Sequence, residues 1–338
     1  LEESLKWHQM AIKREELALE EEKRQAEAQK IKQISLWRRI SLEDKSRFKN
    51  RPILNDRYFF VNLLGKGGFS EVWRAFDLKE INYVAVKVHE LSSTWSEERK
   101  AHYTRHAQRE YEIHRDLDHP RIVRLLDVFE IDSHTMATVQ ELCSEQGTGC
   151  GHDLDQYLKS RGSLPEKEAK CILFQLLSGL RYLHSAKGNK PAIIHYDLKP
   201  ANCLFDSTGN VKITDFGLSK IVNEEQMIGG VELTSQGAGT LRYLPPECFL
   251  KGKTLPKITG KVDVWSVGVI FYKMLYGAHP YKEEPDALGM HNSTLNFPSK
   301  PNVSNEAKDF IRLSLTHNQD ERPDIKKLCL HCYISEKK

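Results

Sequence analysis

Between Tyr58 and Glu141 the apolar positions fall into short runs, at 59–64, 71–76, 83–88, 123–129 and 135–140. Runs of that length, rich in β-branched and aromatic residues, predict strands. A stretch with helical spacing, about 95–117, predicts one helix among them. After residue 153 the periodicity lengthens, and 165–186, 261–277 and 304–316 predict helices. A small sheet followed by a larger helical part makes an α+β, two-part architecture with its site at the junction.

Residues 1–51 have a different character. They hold no glycine or proline and are dominated by Glu, Lys, Arg, Gln, Ala and Leu, which predicts a helix. Leu5, Ile12, Leu19 and Ala26 recur every seven residues, whereas the companion positions His8, Glu15, Glu22 and Gln29 are polar. A two-stranded seam is therefore poorly specified. Two readings stand: a solvated helix that packs its weak stripe against the neighbouring domain, or the end of a dimerising coiled coil that starts further upstream. "NRPILNDRYFF" (50–60) brings the first proline and marks a linker. The expected segments are a charged helix (1–51), a β-rich part (52–143) and a helical part (144–338).

Composition narrows the classes. Charged residues make up 29% of the chain and the net charge is only +3, so bulk electrostatics give no case for direct nucleic-acid binding. The longest apolar run, "VWSVGVIFYKML" (264–275), is too short to span a membrane and contains Lys273; it predicts a buried helix. No signal-peptide pattern opens the sequence. Seven scattered cysteines, an odd number, fit reduced thiols in an intracellular compartment. Cys329 and Cys332 have no second pair at ligand spacing, which argues against a zinc site.

The chemistry-bearing stretches come in a fixed order. "LGKGGFSEVWRA" puts Gly65 and Gly67 between two strands, where a backbone without Cβ atoms can close over phosphates; Ser70 and Val72 follow. "VAVKV" sets Ala85 and Lys87 in an apolar strand, and Glu110 and Glu112 lie on the next helix, about 200° apart around it. "TMATVQELC" leads to Gln140, Glu141 and Cys143, and Asp153 follows a glycine-rich loop. "IIHYDLKPANCLF" gathers Asp197, Lys199 and Asn202 within six residues, and "ITDFGLSK" supplies Asp215. "GTLRYLPPE", "DVWSVG" and "DERPD" close the series.

In this order over about 270 residues, these stretches resemble a eukaryotic-type protein kinase. The resemblance implies the bilobal kinase fold, a small β-rich lobe and a larger helical one, here with an N-terminal helical extension. It implies ATP and Mg2+ as cofactors. Gly65, Gly67, Ser70, Val72, Ala85 and Lys87 would hold the nucleotide, with Glu110 pairing the lysine. Gln140 would guard the adenine pocket, the backbones of Glu141 and Cys143 would read the adenine edge, and Asp153 would reach the ribose. Asp197 would accept the hydroxyl proton and Lys199 would neutralise the moving phosphoryl group. Asn202 and Asp215 would hold magnesium, with Phe216 packing beneath and Gly217 allowing the turn. His195 reads as structural, Asp263 as a brace for the catalytic-loop backbone, Thr240 as another, and Glu247 as the partner of Arg322. "DLKPAN" points to the serine/threonine branch.

Within that fold the chain resembles the Tousled-like serine/threonine kinases. The stretches that carry this are "LLGKGGFSEVWRAFDL", "STWSEERKAHYTRHAQREYEIHRDLDHPRIVRL", "ELTSQGAGTLRYLPPECF" and the unusual "HYDLKP". The sequence departs from that family at 188–190, 250–257, 278–300 and "TLRY". The resemblance implies a nuclear kinase of chromatin assembly and DNA replication, with histone chaperones as substrates and a homodimer formed through the N-terminal helix.

Tyr196 stands where many kinases carry the arginine that clamps an activation-loop phosphate. Lys220 and His106 are the remaining basic positions for such a clamp, and Thr234 and Ser235 are the candidate phosphosites. The competing expectations are a catalytically silent scaffold built on the same fold, and an assembly module acting chiefly through its helix.

Overall fold

The computed structural model describes residues 2–67, 70–91, 94–143, 153–186, 190–233, 239–250, 255–281 and 294–335. The chain forms two compact units, Leu1–Asn82 and Tyr83–Lys338.

In the first unit, helix α1 (Glu2–Glu43) is followed by three short-looped antiparallel strands: β1 (Ile53–Leu54), β2 (Tyr58–Lys66) and β3 (Ser70–Asp77). A stretch dominated by strong helix formers and without glycine or proline carries α1 over 42 residues. The seven-residue stripe does not pack. Leu5, Ile12 and Leu19 are 56%, 55% and 66% exposed, and Ala26 is exposed as well. The end of α1 and the turn after it meet the sheet, where Ser46 and Phe48 are buried against the β2–β3 hairpin. The hairpin is closed at its far end by Arg57, which donates to both oxygens of Asp77 at 2.8 and 2.7 Å.

The second unit opens with β4 (Asn82–Glu90), which pairs with β6 (Thr135–Glu141); β6 also pairs with β5 (Leu125–Asp132). Helix α2 (Glu97–His114) lies between β4 and β5 in sequence. The strands and α2 fall within a few residues of the predicted positions. The helical part then contains α3 (Leu154–Arg161), α4 (Glu166–Leu183) and, before the next long helix, six short strands among the described residues. β7 (Ala192–Ile194) pairs with β10 (Lys220–Val222), and β8 (Cys203–Phe205) pairs with β9 (Val211–Ile213). After α5 (Glu224–Gly229), two-residue strands β11 (Val231–Glu232) and β12 (Lys257–Ile258) pair. The chain finishes with α6 (Lys261–Tyr276), α7 (Asn305–Ser314) and α8 (Ile325–Cys329).

Helix α6 contains the longest apolar run and is buried on almost every side, as expected of a helix that is apolar all round. A Cβ on Gly268 would lie 2.7 Å from the Cβ of Ser314, so only glycine lets α6 and α7 approach so closely. Together α4 and α6 centre the main core, with Leu173, Leu176, Leu180, Val264, Val267 and Phe271 inside. No helix among the described residues is long and apolar enough to cross a membrane.

Candidate active site

The charged centre of the second unit is built from three elements. Lys87 sits on β4 between buried Val86 and Val88, opposite Thr138 of β6. Its Nζ donates to Glu110 Oε1 of α2 at 2.6 Å and to Asp215 Oδ1 at 3.3 Å. Glu112 instead accepts from Gln108 on the exposed face of α2. Burial works against a charged amine at Lys87, but the Glu110 and Asp215 carboxylates outweigh it and hold the amine protonated above the ordinary lysine range. In turn Lys87, aided by His195 and Lys199, draws the Asp215 carboxyl below the usual carboxylate range.

Asp215 has φ +70°, a conformation that costs a non-glycine residue energy and that gathers at functional sites. Behind it Phe216 is fully buried, with its ring 4.9 Å from that of His114 and 5.4 Å from that of His195. A Cβ on Gly217 would make ordinary contacts, 3.4 Å from Glu110 Oε2 and 3.6 Å from Asp215 Oδ1.

The loop after β7 carries the second group. Asp197 is buried, and each of its oxygens has partners. Oδ1 accepts from the N–H and the hydroxyl of Thr240, both at 3.0 Å. Oδ2 accepts from Lys199 Nζ at 2.7 Å and from Asn202 Nδ2 at 3.3 Å. Lys199 also donates to Thr240 Oγ1 at 2.9 Å, so Asp197, Lys199 and Thr240 form a closed triangle. Asn202 further donates to the Asp197 carbonyl at 2.9 Å, while its own carbonyl accepts from Thr214, the residue before Asp215. The two clusters are thus joined through backbone.

This loop hangs from Asp263, fully buried near the start of α6. The Asp263 carboxylate accepts from His195 N at 2.9 Å, from Tyr196 N at 2.8 Å and from His184 Nε2 at 2.7 Å. His195 is fully buried and its Nε2 lies 3.0 Å from the Thr214 carbonyl, a structural placement. Glu247 takes two bonds from Arg322, at 2.7 and 3.1 Å, and the buried guanidinium lies over Trp265.

Tyr196 is not a solvent-facing substitute for a phosphate clamp. Its ring is buried in an apolar cluster with Ile194, Val222, Leu233, Leu244 and Ile258. A Cβ on Gly239, at φ +94°, would come within 3.6 Å of the Tyr196 Cε1. Lys220 Nζ lies 6.0 Å from the ring centroid. Burial, with Arg109 nearby, pushes the Lys220 amine below its usual range. Thr234 and Ser235 lie outside the described residues, as does the side chain of His106.

Around the strand that ends the small sheet, Ala85 and Gln140 are opposite one another on β4 and β6. The Glu141 N–H is taken by the Arg124 carbonyl at 3.0 Å and is not available to an adenine edge. Its carboxylate accepts from Lys212 Nζ, at 2.7 Å to each oxygen. Sequence separation hid this pair, because the two residues are 71 positions apart and lysines carry no partner signal of their own. Cys143 is buried. Asp153 caps α3, accepting from Gln156 N at 2.9 Å, and burial pushes its carboxyl upward. Gly65, Gly67, Ser70 and Val72 belong to the hairpin of the first unit, where the Gly67 N–H donates to the Ser70 carbonyl at 2.7 Å.

Comparison with known proteins follows the same pattern. The Protein kinase domain family matches residues 58–334. The chain is 51% identical over 336 residues to the serine/threonine-protein kinase TOUSLED of Arabidopsis thaliana, covering 97% of this chain and 47% of that protein. It is 49% identical over 334 residues to serine/threonine-protein kinase tousled-like 1-B of Danio rerio, at 96% and 43% coverage. It is 48% identical over 335 residues to serine/threonine-protein kinase tousled-like 2 of Homo sapiens, at 96% and 42%. The chain spans less than half the length of these curated relatives. A lysine held between two acids, a braced Asp197 and a family match over most of the chain agree: the chain belongs to the protein kinase family, with Tousled-like serine/threonine kinases as its relatives.

Proposed function

We propose that this chain transfers the γ-phosphate of ATP to serine and threonine hydroxyls of protein substrates, with magnesium. The observation that carries this is Lys87 Nζ held between Glu110 and Asp215, beside a buried Asp197 already bonded to Lys199. Asp197 accepts the proton of the attacking hydroxyl, and Lys199, two residues away, offsets negative charge that builds on the moving group. Lys87, kept charged and aimed by Glu110, binds phosphate oxygens of the nucleotide. Thr240 and Asn202 hold the Asp197 carboxylate in place from either side.

The residues fit a magnesium ion. Asn202 uses its amide nitrogen on Asp197, which leaves its side-chain oxygen free of that bond; Asp215 adds a carboxylate, and magnesium prefers oxygen donors. Held by Asn202 and Asp215, such an ion would neutralise phosphate charge. Gly65, Gly67, Ser70 and Val72 of the hairpin would cover the phosphates, and Ala85, Gln140, the Glu141 and Cys143 backbone and Asp153 would surround the nucleoside.

The test is incorporation of labelled phosphate from magnesium-ATP into a mixed protein substrate, followed by acid hydrolysis. Label on phosphoserine and phosphothreonine is the expected result. A wild-type chain that incorporates none would favour the silent-scaffold reading instead.

By likeness to its relatives, the substrates we propose are histone chaperones, the compartment is the nucleus, and the working form is a homodimer through α1. The uncovered Leu5, Ile12 and Leu19 support the dimer, since a row of exposed apolar residues gains by pairing. Sedimentation of the whole chain should give twice the mass of one chain, 39.0 kDa. A mass that stays at one chain across the micromolar range counts against it.

A further inference from the structure

The glycine-rich hairpin is tied to the end of α1 from both of its strands. On β3, one residue after Ser70, the Glu71 carboxylate gathers three donors: Ser46 Oγ at 2.6 Å, Lys66 Nζ at 2.7 Å and Trp73 Nε1 at 3.1 Å. Lys66 and Glu71 are register partners across the glycine turn, and Ser46 comes from the segment that follows α1. On β2 the ladder slips between Leu63 and Gly65. There the Leu63 N–H donates to Glu43 Oε2, in the last turn of α1, at 3.1 Å. Between these two bonds Phe48 lies 5.5 Å from Phe60 and 6.5 Å from Trp73, whose rings stack on one another at 5.3 Å. Ser46 is itself fixed, since its Oγ also accepts from the Phe48 N–H at 3.1 Å.

Burial raises the Glu71 carboxyl, but the hydrogen bonds from Lys66, Ser46 and Trp73 outweigh it and leave the group below its ordinary range. A half-buried acid whose three printed partners come from one small region is a fixed point. Among the described residues the turn it closes is also held by the Gly67 N–H, which donates to the Ser70 carbonyl at 2.7 Å, and a Cβ on Gly65 would meet nothing within 4 Å. Glycines lose more freedom on ordering than other residues, so the position of such a turn depends on what anchors its ends.

We propose that Glu71, with Glu43 and Ser46, is a positioning residue for the glycine-rich hairpin, the segment that the kinase reading has covering the ATP phosphates. This inference rests on the kinase reading above.

The experiment compares the whole chain with Glu71→Gln, Ser46→Ala and Glu43→Gln. Each is measured for the Kd of a non-hydrolysable ATP analogue with magnesium, for kcat, for the KM of ATP and of a protein substrate, and for Tm. Ser46→Ala and Glu71→Gln are expected to raise the ATP KM and the analogue Kd about fivefold or more, with the KM for protein unchanged. Glu71→Asp should recover part of the loss. A merely structural role would instead lower Tm and shift both KM values together, and that pattern overturns the proposal. Wild-type analogue binding that the variants leave unaltered also overturns it, alone. A wild-type chain that binds no nucleotide overturns the kinase reading and the proposal with it.

Discussion

Asp197→Asn should lower kcat about 10²–10⁴-fold while changing the KM for ATP little. Asparagine keeps the shape of the side chain but cannot take a proton from a hydroxyl. One oxygen can still accept from Thr240, where the native carboxylate takes two bonds at 3.0 Å. The new amide would then face Lys199 and the Asn202 amide, donor against donor, at the place of the present 2.7 and 3.3 Å bonds. The closed triangle with Lys199 therefore opens, which adds to the chemical loss. Lys87, Glu110 and Asp215 are bonded to one another independently of that oxygen, so nucleotide affinity should persist. Steady-state kinetics at saturating ATP decide the matter. Turnover within twofold of wild type would remove Asp197 from the role of base.

Asp263→Asn should cost stability and activity together. Three donors converge on a carboxylate with no solvent exposure. Asparagine can satisfy one side of that set, and its amide must confront an N–H or the His184 nitrogen on the other. Removing one partner of a buried charged arrangement typically costs about 3–5 kcal/mol. That is a large part of the roughly 5–15 kcal/mol that holds most domains folded. The released N–H groups belong to His195 and Tyr196, directly before Asp197, so turnover falls with stability. Tm by calorimetry, followed by kcat well below the transition, separates the two losses. A variant that melts with wild type would show the brace to be dispensable. The pH dependence has a definite sign. Burial raises the Asp263 carboxyl, but the His184 bond leads the contacts that bring it below its ordinary value of 3.8. Its contribution is therefore present above that value and fades only as pH falls through the still lower folded-state pKa.

The parts that were legible in the sequence share a physical cause. β2, β4, β6 and α4 are long enough for their period to show, and "VWSVGVIFYKML" is apolar all round because α6 lies inside the core. Asp197, Lys199 and Asn202 lie within six residues of one another, and the resemblance to a kinase catalytic loop is what singled them out. β7 to β12 escaped notice because strands of two or three residues have no measurable alternation. The Glu141–Lys212 pair and the Ser46–Glu71 bond escaped for another reason: each joins distant residues of common types. The heptad-spaced residues of α1 showed the opposite limit. Their period was legible, but period does not set burial, and Leu5, Ile12 and Leu19 are exposed.

That bare helix has an optical consequence. The chain has five tryptophans. Trp73 and Trp265 are fully buried, whereas Trp7 and Trp37 on α1 are 72% and 74% exposed. Indole emission moves to shorter wavelength when water leaves the ring, so the buried pair emits furthest to the blue, half-buried Trp95 falls between, and the two α1 rings supply the reddest part. Any event that covers α1 shifts the spectrum while the enzyme core stays silent. The extension thus carries its own dye, and its occupancy can be followed by eye of the fluorimeter without attaching a label.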